Sequence, residues 1–309
     1  MPVSMFAGLK TSSRRMSVRH LFARDGESER AILHWTLGVV LAFATLLTVS
    51  GCATKTNRDH VAIVDGHRVT YQVFGNGKPV VVIVSGMGDS MSSFQDVAAQ
   101  IAEVATVIIY DRAGYGASGA VAGPRDAQAA ERELSGLLAQ IGVSGPYMLV
   151  GHSVGGLFAE YYAAMHPGEV EGLILEDSRP ADFTRRCEAA GVGMCTAPAL
   201  AVRFMPNGAQ GEFAALSQTI AQVESAGPVR GRNVLVLSRS VEPNAAAFDR
   251  SDAQGDLALR YPGSLHLVAS RSGHYVHQDQ AEWFVASIVA FIGDVRRSRC
   301  VQVRMIGSR

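Results

Sequence analysis

Charge of one sign is not in excess in this 309-residue chain: 28 Lys and Arg offset 28 Asp and Glu. That balance carries no electrostatic footprint for a nucleic acid. Cysteine is scarce, at four residues, and no histidine cluster accompanies them, which argues against a bound metal. Internal repeats and low-complexity tracts are missing as well, and with 48% hydrophobic residues the composition is that of an ordinary globular protein. One uncharged run lies close to the N-terminus, residues 31–50.

That run stands apart from the rest. Lys10, Arg14, Arg15, Arg19, Arg24 and Arg30 precede it, and Val49-Ser50-Gly51-Cys52 closes it. Small residues ending in a cysteine resemble a bacterial lipoprotein signal, in which Cys52 is lipidated and becomes the mature N-terminus. The alternatives are a plain anchor, since about 20 apolar residues span a bilayer, and an ordinary secretory signal. All three place the remainder outside the cytoplasm. The expectation is an exported, membrane-anchored protein on the periplasmic side, with residues 1–52 excluded from the fold. Cys187 and Cys195 flank Gly191 and Gly193 and read as a small disulfide loop, the alternative being two free thiols. Cys300 is left in an Arg-rich segment, 296–309, which reads as a solvated basic tail with weak attraction to anionic lipid as the sharper reading.

From His60 onward short apolar runs alternate with helical periodicity. Strands are predicted at 61–64, 69–74, 80–84, 105–110, 146–150, 173–175, 233–237 and 265–269, the first two joined by the turn Asp65-Gly66-His67. Helices are predicted at 94–103, 125–141, 154–166 and 280–291. The continuous β-branched run Val80 to Val84 is that of a strand buried on both faces. Such alternation predicts one α/β domain over residues 60–295, with a mostly parallel central sheet and helices on both faces. Residues 178–232 break the rhythm and are too long for a simple connection. They read as a small cap insertion beyond a C-terminal strand edge, where ligands bind in open sheets, or as a structural insertion packed elsewhere.

The chemistry concentrates in Leu149-Val150-Gly151-His152-Ser153-Val154-Gly155-Gly156. A strand runs through a G-x-S-x-G turn into a helix, the nucleophile-elbow pattern, which exposes a serine at the tip of a strained turn. A serine needs a base. His274 follows the last predicted strand, with Gly273 before it, while His277 is its close competitor and His152 should point away from Ser153. The acid that orients the base is Asp177, after Leu173–Glu176, or Glu242, after the 233–237 strand; Asp249 and Asp252 are weaker candidates. Strand alternation sends Glu176 to the opposite face from Asp177. Oxyanion donors are the backbone N–H groups of Val154 and of Met87, in Ser85-Gly86-Met87-Gly88-Asp89-Ser90. A phosphate loop fits this glycine-rich stretch poorly, because neither G-K-[ST] nor G-x-G-x-x-G follows.

Together these residues resemble the α/β-hydrolase superfamily over most of the chain from His60 to Phe291. The resemblance rests on Ser85–Gly88, the segment Tyr110-Asp111-Arg112-Ala113-Gly114-Tyr115-Gly116-Ala117-Ser118, the Gly151–Gly155 elbow and Gly273-His274, in the order Ser153, acid, His274. Two departures stand out: Ser85 where many members have His, and Glu242 where an Asp is usual. Some members carry the acid after the sixth strand, and that favours Asp177 over Glu242. The resemblance implies a serine hydrolase acting on a small carboxylic ester, with no metal or cofactor. Amidase, peptidase, acyltransferase and cofactor-free perhydrolase chemistry are variants on the same residues. Some proteins of this fold are non-enzymatic binding modules. Nothing in the sequence sets the oligomeric state.

Overall fold

The computed structural model describes residues 58–191, 195–196, 198–229, 233–240 and 250–306. The segment 1–52 with Cys52, and the alternative acid Glu242 with Asp249, lie outside the described residues.

All eight predicted strands form: β1 (His60–Val64), β2 (His67–Phe74), β3 (Val80–Val84), β4 (Thr106–Tyr110), β5 (Tyr147–His152), β6 (Val170–Glu176), β7 (Asn233–Arg239) and β8 (Leu265–Ala269). They make one sheet in the order β1-β2-β4-β3-β5-β6-β7-β8. β2 runs antiparallel to β1 and β4, and every other pairing is parallel. The hairpin turns on Asp65 and Gly66 alone, at φ 46° and 79°, as a two-residue turn requires. His67, expected in the turn, instead opens β2 opposite Val64.

Alternation along the buried strands divides the core. Val80, Val82 and Val84 of β3, with Leu149, Leu173 and Leu175, face one helical layer. Val81, Ile83, Met148, Val150 and Ile174 face the other. The helices are α1 (Gln95–Ile101), α2 (Ala127–Gln140), α3 (Val154–Met165), α4 (Phe183–Ala189), α5 (Ala199–Val202), α6 (Asn207–Ala214), α7 (Leu216–Ala226), α8 (Arg250–Leu259), α9 (Val276–Asp279) and α10 (Ala281–Ile306). α2 starts where Asp126 accepts a 2.8 Å bond from Ala129 N–H, satisfying one of the open donors of the first turn. No helix among the described residues is long and apolar enough to cross a membrane.

The segment read as a basic tail continues α10 as far as Ile306. Val295 is buried, and Arg296 donates to the carbonyls of Lys78 and Val104, so the start of this stretch contacts the domain. Part of the 178–232 insertion packs on the domain. Leu216 and Val223 of α7 join the core beneath α2 and α3. Cys187 and Cys195 are joined by a disulfide at the other end of the insertion.

α6 also contributes a buried carboxylate. Its Glu212 accepts from Arg112 Nε at 2.6 Å, Arg112 Nη2 at 3.1 Å and the Tyr115 hydroxyl at 2.6 Å. Burial drives the tyrosine pKa up and the carboxylate adds to it, so Tyr115 stays a donor. Arg112 also donates to the carbonyls of Ser85 at 2.7 Å and Gly86 at 3.0 Å. One buried guanidinium therefore ties the insertion to the loop after β3. Removing the charge of Glu212 would leave that cation uncompensated, which costs about 3–5 kcal/mol. The expected outcome for Glu212→Gln is a loss of this size in urea unfolding, and a loss below about 1 kcal/mol would show the pair to be dispensable.

Candidate active site

β5 ends at His152, and the chain turns sharply at Ser153, with φ 53° and ψ −121°. A side-chain-bearing residue in this region costs of order 1–3 kcal/mol and persists only when its surroundings fix it. Here they do. Ser153 N–H donates to Glu176 O at 3.1 Å, while Ser153 O accepts from Gly156 N, Arg179 N and Ser178 Oγ. α3 starts immediately afterwards. A Cβ on Gly155 would stand 2.3 Å from Val84 O and 2.4 Å from Ser85 O. The first turn of α3 thus lies against the end of β3 and the loop that follows it.

His274 Nε2 is 3.0 Å from Ser153 Oγ, and His274 Nδ1 pairs with Asp177 Oδ2. With Nδ1–H donating to the carboxylate, Nε2 presents its lone pair to the serine; this tautomer follows from the partners. Asp177 itself sits at φ 35°, buried, with its N–H on Leu237 O at 2.7 Å. The neighbouring β7 adds Arg239, whose Nε is 3.6 Å from Asp177 Oδ2. The sequence-derived Ser153, His274 and Asp177 are therefore in one chain of contacts.

His277 does not compete for that place. Its N–H and Nδ1 both meet Glu176 Oε1 at 2.7 Å, and its ring stacks on Phe94 at 3.8 Å. His152 also points away from the serine, as expected. Its Nε2 donates to the His274 carbonyl at 3.0 Å, and its Nδ1 is 3.5 Å from Asp89 Oδ2. Burial disfavours charge on His152, but the carboxylates of Glu176 and Asp89 and the bond to the His274 carbonyl outweigh it and hold its pKa above the ordinary histidine value. His152, Glu176 and His277 bring metal-binding atom types within 4.8 Å of one another. Within the cluster His277 Nδ1 is paired with Glu176 Oε1, while His152 Nε2 is taken up by the His274 carbonyl.

The Met87 loop is fixed from several sides. Gly88 N–H donates to the Tyr115 hydroxyl at 3.3 Å, Asp89 N–H to Gly86 O at 3.3 Å, and Arg112 holds the Ser85 and Gly86 carbonyls. Met87 packs on the core beside α3. Val154 N–H belongs to the first turn of α3, where backbone donors lack intrahelical acceptors and anionic charge is favoured. Sequence reasoning missed Arg239, Glu212 and the pairing of His152 with Asp89. The adjacency of Glu176 to Asp177 and of His274 to His277 was the available signal for the second histidine–carboxylate pair.

A model of the alpha/beta hydrolase fold matches residues 79–222. A putative carbamate hydrolase, RutD, of Azorhizobium caulinodans is 31% identical over 119 residues, 38% of this chain and 44% of that protein. The chain spans less than half the length of the curated relatives it matches first. Among solved structures, a thermophilic esterase from Thermogutta terrifontis aligns with TM-score 0.60 and 20% identity, covering 77% of this chain and 99% of that one. A haloalkane dehalogenase loop variant from Bradyrhizobium elkanii aligns with TM-score 0.61 and 20% identity, covering 79% and 99%. The elbow geometry yields its own prediction. Gly155→Ala forces a methyl onto backbone carbonyls that cannot yield, so it should lose about 1–3 kcal/mol, read as a lowered Tm; an unchanged Tm would mean the turn is looser than described.

Proposed function

Taking the chain as a member of the α/β-hydrolase superfamily, we propose that it is a serine hydrolase cleaving a carboxylic ester through an acyl-enzyme. The carrying observation is Ser153 Oγ at 3.0 Å from the lone-pair nitrogen of a histidine whose other nitrogen meets a buried carboxylate. Ser153 attacks the ester carbonyl as His274 Nε2 takes its proton. Asp177 holds the imidazole in the required tautomer and stabilises the cation that forms. The N–H groups of Val154 and Met87 receive the oxyanion. His274 then returns the proton to the leaving alcohol, and water repeats the sequence to release the acid. These steps need no metal or cofactor. Carbon–halogen cleavage in this fold uses a carboxylate nucleophile, so Ser153 argues against the dehalogenase reading.

A carbamate or amide is the second reading, supported by the name of the Azorhizobium relative; it uses the same residues with an amine as leaving group. The cap role of residues 178–232 and the anchoring of the chain through Cys52 belong to the same proposal. Anchoring is tested by radiolabelled palmitate, which should enter the chain and be lost in Cys52→Ser; label retained in that variant would sink it.

Hydrolysis of p-nitrophenyl esters tests the chemistry. Ser153→Ala should lose about 10⁴-fold or more in kcat, and Asp177→Asn about 10⁴-fold. Glu242→Gln should stay near wild type. Collapse of Glu242→Gln with survival of Asp177→Asn would move the acid to residue 242. Activity unaffected by Ser153→Ala would end the serine mechanism, and turnover of carbamates well above esters would favour the second reading.

A further inference from the structure

The side chains behind the serine contain an unresolved proton. His152 is 1% exposed and lies among the rings of Phe94, His274, Tyr275 and His277. A carbonyl only accepts, so the 3.0 Å contact between His152 Nε2 and His274 O puts a hydrogen on Nε2. Nδ1 then carries either a lone pair or a second hydrogen. It faces Asp89 Oδ2 at 3.5 Å, and neither atom has a hydrogen-bond partner among the described residues. Two buried lone pairs facing each other are costly, whereas one proton between them satisfies both. Gly86 stands beside this contact: a Cβ there would lie 2.8 Å from His152 Nδ1 and 3.3 Å from Asp89 Oδ2. Only a glycine lets the loop and the ring approach this closely.

We propose that His152 is an imidazolium latch, a positioning residue that ties the His274 loop to the Met87 loop through the His274 carbonyl and the Asp89 carboxylate. Its consequence for catalysis rests on the serine-hydrolase reading; its protonation does not. The two ends of the latch are the base and an oxyanion donor loop, whose relative placement sets the reacting geometry.

The groups facing His152 favour the cation. Glu176 comes from β6, Asp89 from the loop after β3, and His274, Tyr275 and His277 from the segment after β8 and from α9. Glu176 contributes most against the desolvation of the ring, followed by Asp89 and the His274 carbonyl. The sign follows. A folded-state pKa raised above its unfolded value places the latched state on the acid side, and the tie is lost as pH rises through the folded pKa. Activity should therefore fall on the alkaline side for a reason lying outside the Ser153–His274–Asp177 chain.

Imidazole nitrogen NMR on the whole protein reads the proton directly, with the His152 signals assigned by their loss in His152→Gln. The expected result is two N–H signals on His152 at pH values where an ordinary imidazole is neutral, in wild type and in Ser153→Ala alike. A single N–H there, in folded protein, overturns the latch. The kinetic arm compares wild type with Asp89→Asn, whose amide can donate to a neutral Nδ1 and so hold the tie without a proton. Wild-type kcat/KM should fall about tenfold per pH unit on its alkaline limb, and Asp89→Asn should fall less than about twofold per unit, whatever its plateau. An identical alkaline limb in both overturns the latch while leaving the hydrolase reading intact. Two N–H signals in a protein whose hydrolysis survives Ser153→Ala would uphold the latch and end the serine-hydrolase reading instead.

Discussion

The pairing of β5 with β6, which sets His152 opposite Glu176, arranges everything at the reacting edge of the sheet. Side chains alternate along a strand, so the next residue pair, Ser153 and Asp177, faces the other way. Both of these adopt positive φ, turning the chain out of the sheet at the same level. One segment after β8 then serves both tiers: His274 meets Ser153 and Asp177, and His277 meets Glu176. A shift of one residue in this register would exchange the tiers and dismantle both pairs. The turns are held by backbone bonds across the edge, from Ser153 N–H to Glu176 O and from Asp177 N–H to Leu237 O, so sheet pairing itself supports the strained positions.

A second organising point lies on the far side of the serine. Arg112 is fully buried, and its guanidinium is shared between the carbonyls of the Met87 loop and Glu212 of α6. The carboxylate keeps Arg112 firmly charged against the burial that opposes it. Buried ion pairs of this kind contribute modest net stability, because desolvation offsets most of the attraction, yet they are costly to break singly. Their effect here is geometric. Through Arg112 the Met87 loop is attached to a helix whose Glu212 lies a hundred residues further along the chain than the arginine.

The strands were legible because buried β-branched runs such as Val80–Val84 have few other solutions, and the hairpin because Asp65-Gly66 supplies two positive φ values. Gly151-His152-Ser153-Val154-Gly155 marked the elbow through spacing that only a tight strand-to-helix turn needs. Asp177 was readable as a strand-end carboxylate, and it meets His274. Other features were closed to a one-dimensional reading. α10 runs past the predicted end at residue 291, and the contact of Arg296 with Lys78 and Val104 is tertiary. Glu212 carries no local signal at all, since its partner is set by how α6 returns to the domain. Arg239 beside Asp177 likewise depends on the adjacency of β6 and β7 rather than on any motif.

The tie between Arg112 and Glu212 also bears on how such a protein can be redesigned. Insertions after the sixth strand are the obvious modules to exchange when a new pocket is wanted. In this chain the module carries the counter-ion for a guanidinium seated under the reacting loop. A transplanted segment lacking a carboxylate at that depth would bring a new pocket wall and, with it, a displaced Met87 loop. Grafts here would have to be chosen for the anion they deliver before the pocket they shape.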